Sequence, residues 1–258
     1  MLQQDDILAD LHTHTLYSMH AFSTLYENMQ CARAAGIQYM AVTDHYYGTG
    51  DRLAIKNENT RLKQVQRELA RYDTVPRIIG GAEFNLGQVP VRPSILEKLV
   101  WRPIGLHSFF MSYSSVTAEG LYGMFRDAAD QGYNAFAHIE RKLHVIEDGR
   151  LGTSLGMRSQ DLLRRIVRLA AERHIFLEVN EASLSRNEPG ARERMTFWLR
   201  EAKRCGCRLS LGTDAHYCEA VGRFPNAVAL LDQIDYPKSL ILNCDRDLLE
   251  AMANGERI

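Results

Sequence analysis

Histidine is the residue type in this sequence that most directly indicates chemistry. The chain has nine histidines, and seven of them come at or just after the end of a short apolar segment. Neutral imidazole and carboxylate groups are the usual protein ligands of zinc and related transition metals. We therefore expect these histidines, with two acids in equivalent places, to hold metal ions. The candidate ligands are His12, His14, His20, His45, Glu83, His107, His138, Asp214 and His216.

The spacing of two pairs of candidate ligands supports a metal site. One residue separates His12 from His14, and one separates Asp214 from His216. Side chains alternate across an extended strand with a period of two, so both members of each pair point to the same side. One metal ion can then bind both members of a pair.

An alternation of strands and helices positions these residues. Seven short segments rich in aliphatic and β-branched residues are predicted to be strands, and most of the candidate ligands follow them. They are Ile7–His12, Gln38–Thr43, Arg77–Glu83, Pro103–His107, Asn134–His138, Ile175–Asn180 and Arg208–Thr213. Seven strand–helix units favour an α/β fold whose parallel strands close into a distorted barrel, as one domain over residues 1–258. The ends of all strands then meet at one face, where the candidate ligands converge.

Helical patterns lie between the predicted strands. The clearest is Asp161–Arg173, which has one apolar face and several arginines outside it. Another helix is predicted to begin at Thr24, which has capping-box spacing to Glu27, and to end near Gly36. The other predicted helices are Asn57–Tyr72, Thr117–Gln131, Gly190–Cys205, Glu219–Gln233 and Asp245–Ala253.

Composition narrows the functional classes. The chain of 258 residues has 31 basic and 32 acidic residues and a net charge of −1. The absence of a basic excess argues against a nucleic-acid channel or a membrane-surface role. The five cysteines show no Cys-x-x-Cys spacing, and no apolar stretch of about 18 residues or signal-like N-terminus is present. We expect a cytoplasmic protein with reduced thiols.

The ligand-bearing segments resemble the motifs of the PHP family, named for polymerase and histidinol phosphatase, in the order of that family. They are Asp10–Thr15, Thr43–His45, Gly81–Glu83, His107, His138 and Gly212–His216. Three further segments resemble the YcdX-type bacterial phosphatases, namely His20–Leu25, Leu177–Asn180 and Asp235–Asn243. The resemblance implies a distorted (β/α)7 barrel of the TIM-like type. It also implies a homo-oligomer, a trimer in the YcdX type.

The resemblance implies three divalent metal ions, with zinc expected and manganese or iron as alternatives. Within it the candidate ligands divide into three sets, two of which share Glu83. The sets are His12, His14, Glu83 and Asp214; Glu83, His107 and His138; and His20, His45 and His216. Asp44 and Asp10 are expected to orient neighbouring ligands. The flanks of His138, which are Ala137 and Ile139, depart from the family pattern of glycine before and proline after.

The charge of such a site favours a phosphate substrate. Three divalent ions outweigh the two carboxylates, so a phosphomonoester dianion and a hydroxide would bring the site near neutrality. A metal ion lowers the pKa of the water that it binds towards about 7. We therefore expect a metal-bridging hydroxide to attack phosphorus. The residues expected to support catalysis are Glu83, Asp214, His45 and His216. The arginines expected to contact the phosphate, in loops after strands, are Arg141, Arg158 and Arg186.

Four other functions stay open on the sequence. A histidinol-phosphate phosphatase has the same metal motifs. A PHP-type nuclease or exonuclease shares the site but usually acts beside a basic channel. An amidohydrolase that cleaves a C–N bond shares the barrel and the His-x-His start. A non-catalytic metal-binding module is the fourth. We expect the substrate to be a small phosphorylated metabolite.

Overall fold

The computed structural model describes residues 1–46, 75–87, 91, 93–107, 117–141, 143, 156–186 and 190–258. Eight strands lie in this part of the chain. They are β1 (Ala9–Thr13), β2 (Tyr39–Val42), β3 (Arg77–Gly80), β4 (Phe84–Asn85), β5 (Pro103–Gly105), β6 (Ala135–Phe136), β7 (Phe176–Asn180) and β8 (Leu209–Gly212). All seven predicted strand positions are occupied, and β4 is additional.

The strands form a distorted parallel barrel. One sheet has the order β1-β2-β3 and the other β4-β5-β6-β7-β8, with parallel pairing throughout. The ends of β8 and β1 join through hydrogen bonds from Asp214 N to His12 O, 2.8 Å, and from His14 N to Ala215 O, 2.9 Å. The expected TIM-like α/β fold is confirmed, and the seam between β8 and β1 carries candidate ligands on both sides.

The predicted third strand, Arg77–Glu83, is wrong in its extent. The strand ends at Gly80, and the chain then bends before β4 begins. At the bend Gly81 packs so closely on Trp101 that a Cβ atom there would lie 2.7 Å from its carbonyl oxygen. Glu83 forms an isolated parallel bridge to His45 in this break. The interruption therefore places the Glu83 backbone between the two sheets.

Helices flank the strands. In the described residues they are α1 (Leu25–Ala34), α2 (Pro93–Leu96), α3 (Ala118–Asp130), α4 (Met157–Glu172), α5 (Glu181–Ser185), α6 (Ala191–Cys205), α7 (Pro225–Gln233) and α8 (Arg246–Ala253). The predicted capping box is present, because Thr24 Oγ1 accepts from Glu27 N and the Glu27 carboxylate accepts from Thr24 N. None of the helices in these residues has the length and apolar character to cross a bilayer.

Two helix predictions need correction, and one lies outside the described residues. The segment Glu219–Gln233 is not one helix: a 3-10 turn, Cys218–Ala220, is followed by Gly222 at φ 74° and then by α7. Glycine in this left-handed conformation ends the turn, and Pro225 begins the helix. Helix α4 begins at Met157 and not at Asp161. The prediction missed its first turn because that turn lacks apolar periodicity. The predicted helix Asn57–Tyr72 lies outside the described residues.

The barrel seam also depends on one buried amide. Asn243 is fully buried and its Oδ1 accepts from Leu211 N at 2.7 Å. Its Nδ2 donates to Ala9 O at 2.8 Å and to Leu211 O at 2.9 Å. A single side chain thus satisfies backbone groups of both β1 and β8, which a buried strand cannot leave unpaired without cost.

We predict that Asn243→Ala lowers the free energy of unfolding by about 3 kcal/mol, since each buried group left unpaired costs about 1–3 kcal/mol. Urea unfolding of the metal-free protein measures this. The matched control is the amide substitution Gln30→Ala at an exposed position of α1, where a change below about 0.5 kcal/mol is expected. Equal effects of the two substitutions would contradict the role of Asn243 at the seam.

Candidate metal centre

All nine candidate ligands come together at the carboxyl ends of the strands. The seven imidazole rings form a connected group with centroid separations of 4.4–6.5 Å between neighbours, from His14 next to His216 at 4.4 Å to His14 next to His20 at 6.5 Å. Their positions in the chain span more than two hundred residues. The convergence expected from the strand pattern is therefore seen in the structure.

The centre of the group is buried and lies around two carboxylates. Nε2 of His12 and Nε2 of His14 are 3.0 Å apart. Glu83 Oε2 lies 3.2 Å from the former and 3.4 Å from the latter. Asp214 Oδ1 lies 3.2 Å from His14 Nε2 and 3.8 Å from His12 Nε2. Four potential ligand atoms thus face one another.

The outer hydrogen bonds of the two rings determine which nitrogen faces the centre as a lone pair. Nδ1 of His12 lies 2.5 Å from Glu178 Oε1, a group that only accepts when ionised. Nδ1 of His14 lies 2.9 Å from Ser18 Oγ, whose own proton goes to Asp44 Oδ1 at 2.8 Å. In the neutral rings both protons therefore sit on Nδ1, and both Nε2 atoms are acceptors.

Acceptors that converge without a donor require a cation. Glu83 Oε2 is buried and accepts no hydrogen bond among the described residues, although ring nitrogens surround it. A buried group in this condition costs free energy unless a positive charge compensates it. Neutral imidazole and carboxylate are the donor set that zinc and related ions prefer. The residues present therefore fit divalent metal ions.

Glu83 connects this centre to a second group of rings. Its Oε1 lies 3.0 Å from His107 Nε2 and 2.9 Å from His138 Nε2. Its Oε2 lies 3.0 Å from His45 Nδ1. The bridging role that the resemblance implies for this carboxylate agrees with a position between two sets of nitrogens.

The third group lies at the rim. Nε2 of His20 and Nε2 of His216 are 2.7 Å apart, and His216 Nδ1 lies 2.9 Å from Asp214 O, to which it can donate. The ligand atoms of His14, His45 and His216 also lie within 4.8 Å of one another. This grouping differs from the implied sets, because His14 and His45 each face two positions. His20 is exposed, so the rim opens to solvent.

Burial keeps three of the rings neutral. It lowers the pKa of His45 to about 3, although the Glu83 carboxylate acts in the opposite direction. Burial, with Arg141 nearby, lowers the pKa of His138 to about 4, and burial next to His14 lowers the pKa of His216 to about 4. Only the neutral form of imidazole has a lone pair for a metal ion.

The acids in the centre favour a positive charge at the position of His12. Burial alone would lower the pKa of His12, but the carboxylates of Glu178, Glu83 and Asp214 raise it well above its ordinary value. Burial likewise would raise the pKa of Glu83, yet the surrounding histidines hold it well below its usual range. A metal ion at the centre would supply the positive charge that a proton otherwise provides.

Backbone geometry directs two of the ligands. His138 and Asp214 follow strand ends with φ of 34° and 53°, in the left-handed region. Such conformations are uncommon outside glycine and cluster at functional sites. Two glycines make room for the rings: a methyl group on Gly105 would overlap the His138 ring, and one on Gly212 would overlap His12 and Glu178.

Glu178 is the functional residue that the sequence analysis missed. It is buried, and besides His12 it contacts the end of β6, because its Oε2 accepts from His138 N at 3.0 Å. The same oxygen accepts from Asn180 Nδ2 at 3.1 Å. Two polar residues spaced by two in the otherwise apolar strand β7 were the signal, since that spacing places both on the same side of the strand.

The two acids expected to orient ligands do so through other groups. Asp44 accepts from Thr15 N, Thr15 Oγ1 and Ser18 Oγ, and Ser18 in turn holds His14. Asp10 accepts from Thr213 N at 3.0 Å and from His12 N at 3.3 Å. Burial raises the pKa of Asp10 to about 6.

The three candidate arginines have different positions. Arg141 contacts the centre directly, since its Nη1 lies 2.8 Å from Asp214 Oδ2, and its other nitrogens donate to Ser183 Oγ and Asn180 Oδ1 at 2.7 Å. Arg186 lines a cavity together with Asp214. Arg158 is not in a loop as expected: it is exposed in the first turn of α4, because that helix begins earlier than its apolar pattern.

Comparisons with known proteins agree with this architecture. Residues 10–182 match the PHP domain. The probable phosphatase TTE1963 of Caldanaerobacter subterraneus is 26% identical over an alignment of 266 positions. The alignment covers 97% of this chain and 92% of the relative.

Two solved structures share the fold. The histidinol phosphate phosphatase of Lactococcus lactis, complexed with zinc, L-histidinol and phosphate, superposes with a TM-score of 0.64 at 18% identity and covers 90% of this chain and 95% of its own. A structure from the study of the metal-dependent tyrosine phosphatases YwqE of Bacillus subtilis and CpsB of Streptococcus pneumoniae has a TM-score of 0.58 at 17% identity, with coverage of 97% and 96%.

We predict that Glu178→Gln weakens metal binding by about 10–100-fold, the usual cost of losing a partner that orients a ligand. The amide no longer accepts a charge-assisted hydrogen bond from His12, so the ring loses its fixed tautomer. Competition with a chromophoric chelator measures the affinity. Glu193→Gln on the surface of α6 is the matched control, and an unchanged affinity in Glu178→Gln would contradict the assignment.

Proposed function

Since the chain belongs to the PHP domain family, we propose that it releases phosphate from a small phosphomonoester at a centre of three divalent metal ions. It is a metal-dependent hydrolase of the phosphatase class, like the relatives that carry that name. The number of ions, the residues that bind them and the small size of the substrate are part of the proposal. We also propose that residues 1–258 act as one domain.

The observation that carries the proposal is the convergence of acceptor atoms around Glu83. Its two oxygens lie within 3.4 Å of five ring nitrogens from four strand ends. We propose the nine residues of the cluster as metal ligands and zinc as the preferred ion, which is also the ion in the Lactococcus lactis complex. A bound divalent ion would lower the pKa of water to about 7 and polarise phosphoryl oxygens.

The residues of the chain have separate tasks in this proposal. Glu178 and Ser18 fix the protons of His12 and His14 on Nδ1, which leaves Nε2 available. Glu83 lies between the nitrogen groups and fixes their separation. His45 and His216 are half-buried, and this desolvation keeps them neutral, so they bind metal without competing protons.

Arg141 is the cation best placed to contact the phosphate. Burial would lower its pKa, but the carboxylates of Asp214 and Glu140 raise it, so the guanidinium stays charged. It lies beside the candidate ligand Asp214 at 2.8 Å, and it is held there by Ser183 and Asn180. A fixed guanidinium next to the centre suits the non-bridging oxygens of a phosphate dianion. Arg186, on the cavity wall, is a second candidate.

We predict that removal of metal abolishes turnover. The purified chain should carry about three ions when it is replete with metal. Three four-coordinate ions need about twelve ligand positions, which the nine residues and bound water together can supply. Hydrolysis of p-nitrophenyl phosphate should fall at least about 100-fold after chelation, because the acidified water is lost. Added zinc or manganese should restore it.

The same assay separates the proposal from its alternatives. Metal-independent turnover, or fewer than one ion per replete chain, would contradict a metal-dependent phosphatase. Parallel reactions contain histidinol phosphate and labelled single-stranded DNA. Preferred turnover of the first identifies a histidinol-phosphate phosphatase, and cleavage of the second identifies a nuclease.

We predict that Asp214→Ala loses metal and nearly all turnover. Asp214 is one of only two carboxylates among the candidate ligands, and it also pairs with Arg141. Metal content and p-nitrophenyl phosphate hydrolysis measure the two effects. Thermal unfolding shows whether the variant is folded, and Asp247→Ala at an exposed position of α8 is the control. Normal turnover in folded Asp214→Ala would refute the assignment.

A further inference from the structure

A cavity opens directly beside the candidate metal centre. Its volume is about 420 Å³, and Asp214 and His216 form part of its wall. Arg186, Arg223 and the half-exposed ring of Tyr217 line other parts. The volume falls in the range of small-molecule sites. A substrate whose phosphate lies at the metal ions would therefore extend its leaving group into this space.

The segments that carry the two arginines are tied to each other. Glu181 begins α5, which ends just before Arg186, and its carboxylate reaches the start of α7, just after Arg223. Oε2 accepts from Ala227 N at 2.8 Å, and Oε1 accepts from Asn226 Nδ2 at 2.7 Å. One buried carboxylate thus fixes the two sides of the cavity relative to each other.

The turn before Arg223 is tied to the metal centre. Gly222 N donates to Asp10 Oδ2 at 2.9 Å. The other oxygen of Asp10 accepts from His12 N and from Thr213 N, which lie in the ligand-bearing segments of β1 and β8. The backbone that presents Arg223 is therefore held by the same side chain that holds the candidate ligands. Such support lets a guanidinium bind an anion at a lower ordering cost.

Two arginines, Arg186 and Arg223, are among the charged residues that line the cavity. Neither Arg186 nor Arg223 makes an ion pair with any residue that the structure describes. The carboxylate of Glu181 accepts hydrogen bonds from the start of α7 and makes no ion pair with either arginine. Glu219 is the remaining acid of the wall apart from Asp214. A guanidinium group without an ion pair in the described part of the chain is available to bind an anionic group of a ligand.

We infer that this cavity binds the leaving group and that Arg223 selects phosphomonoesters whose leaving group carries a second anionic group, a carboxylate or another phosphate. This inference rests on the proposed function. Arg223 is a specificity-determining residue in it, because it binds a part of the substrate remote from the reacting phosphorus. Binding energy from a remote group raises kcat/KM for one substrate over another.

Two matched pairs of substrates test the inference with the metal-loaded full chain. 3-Phosphoglycerate is compared with glycerol 3-phosphate, and fructose 1,6-bisphosphate with fructose 6-phosphate. We expect a higher kcat/KM for the substrate with the second anionic group in at least one pair. A preference for 3-phosphoglycerate indicates that the site binds a carboxylate, and a preference for fructose 1,6-bisphosphate indicates that it binds a phosphate. Arg223→Ala should reduce that preference about tenfold, mainly through KM, and Arg223→Glu should reduce it further. Arg168→Ala, at an exposed position of α4, should leave it unchanged.

The outcomes separate the inference from the proposed function. Equal kcat/KM within both pairs, or a preference that Arg223→Ala leaves intact, overturns the inference. If p-nitrophenyl phosphate is turned over while neither 3-phosphoglycerate nor fructose 1,6-bisphosphate is preferred within its pair, the phosphatase assignment stands and the inference fails. If metal-loaded protein turns over neither p-nitrophenyl phosphate nor any of the four substrates, the proposed function fails as well. Arg223 is exposed, so its variants are expected to fold, and thermal unfolding checks this.

Discussion

The structure depends on a group of lone pairs that face one another in a buried space. Glu83 and the Nε2 atoms of His12 and His14 approach within 3.0–3.4 Å, with their protons directed outward by Glu178 and Ser18. Such an arrangement is unfavourable unless a cation compensates it. The fold produces this arrangement because a parallel barrel gathers its strand ends at one face. Breaks in the regular strands then place individual ligands.

The breaks explain how one barrel holds several ligand groups. The bend at Gly81 ends β3 early and leaves Glu83 between the sheets, while the left-handed backbone at His138 and Asp214 turns both away from their strands. Each device has a local cost, and the surrounding hydrogen bonds offset it. Asp10 and Asn243 show this most clearly, since each joins segments from opposite ends of the chain. Support of the site and closure of the barrel are therefore the same set of contacts.

Part of this could be predicted from the sequence, because strands and ligands follow short-range patterns. The period of two placed His12 with His14, and the position of histidines at strand ends predicted their convergence. Glu178 was missed because its role depends on a partner 166 residues away. The break after β3 depends on the packing of Gly81 against Trp101, and the early start of α4 moved Arg158 out of the predicted loop. The break after β3 and the start of α4 leave no local pattern, whereas the spacing of Glu178 and Asn180 marks a polar side of β7 without identifying its partner.

We infer that these lone pairs surround metal ions, and anomalous diffraction from crystals of the zinc-loaded protein tests this inference. We expect peaks at which zinc lies about 2.0–2.2 Å from Nε2 of His12 and His14 and from an oxygen of Glu83. Asp214 should contribute to the same cluster. Metal-loaded crystals with no peak at this face, or with these side chains directed to separate places, would contradict it.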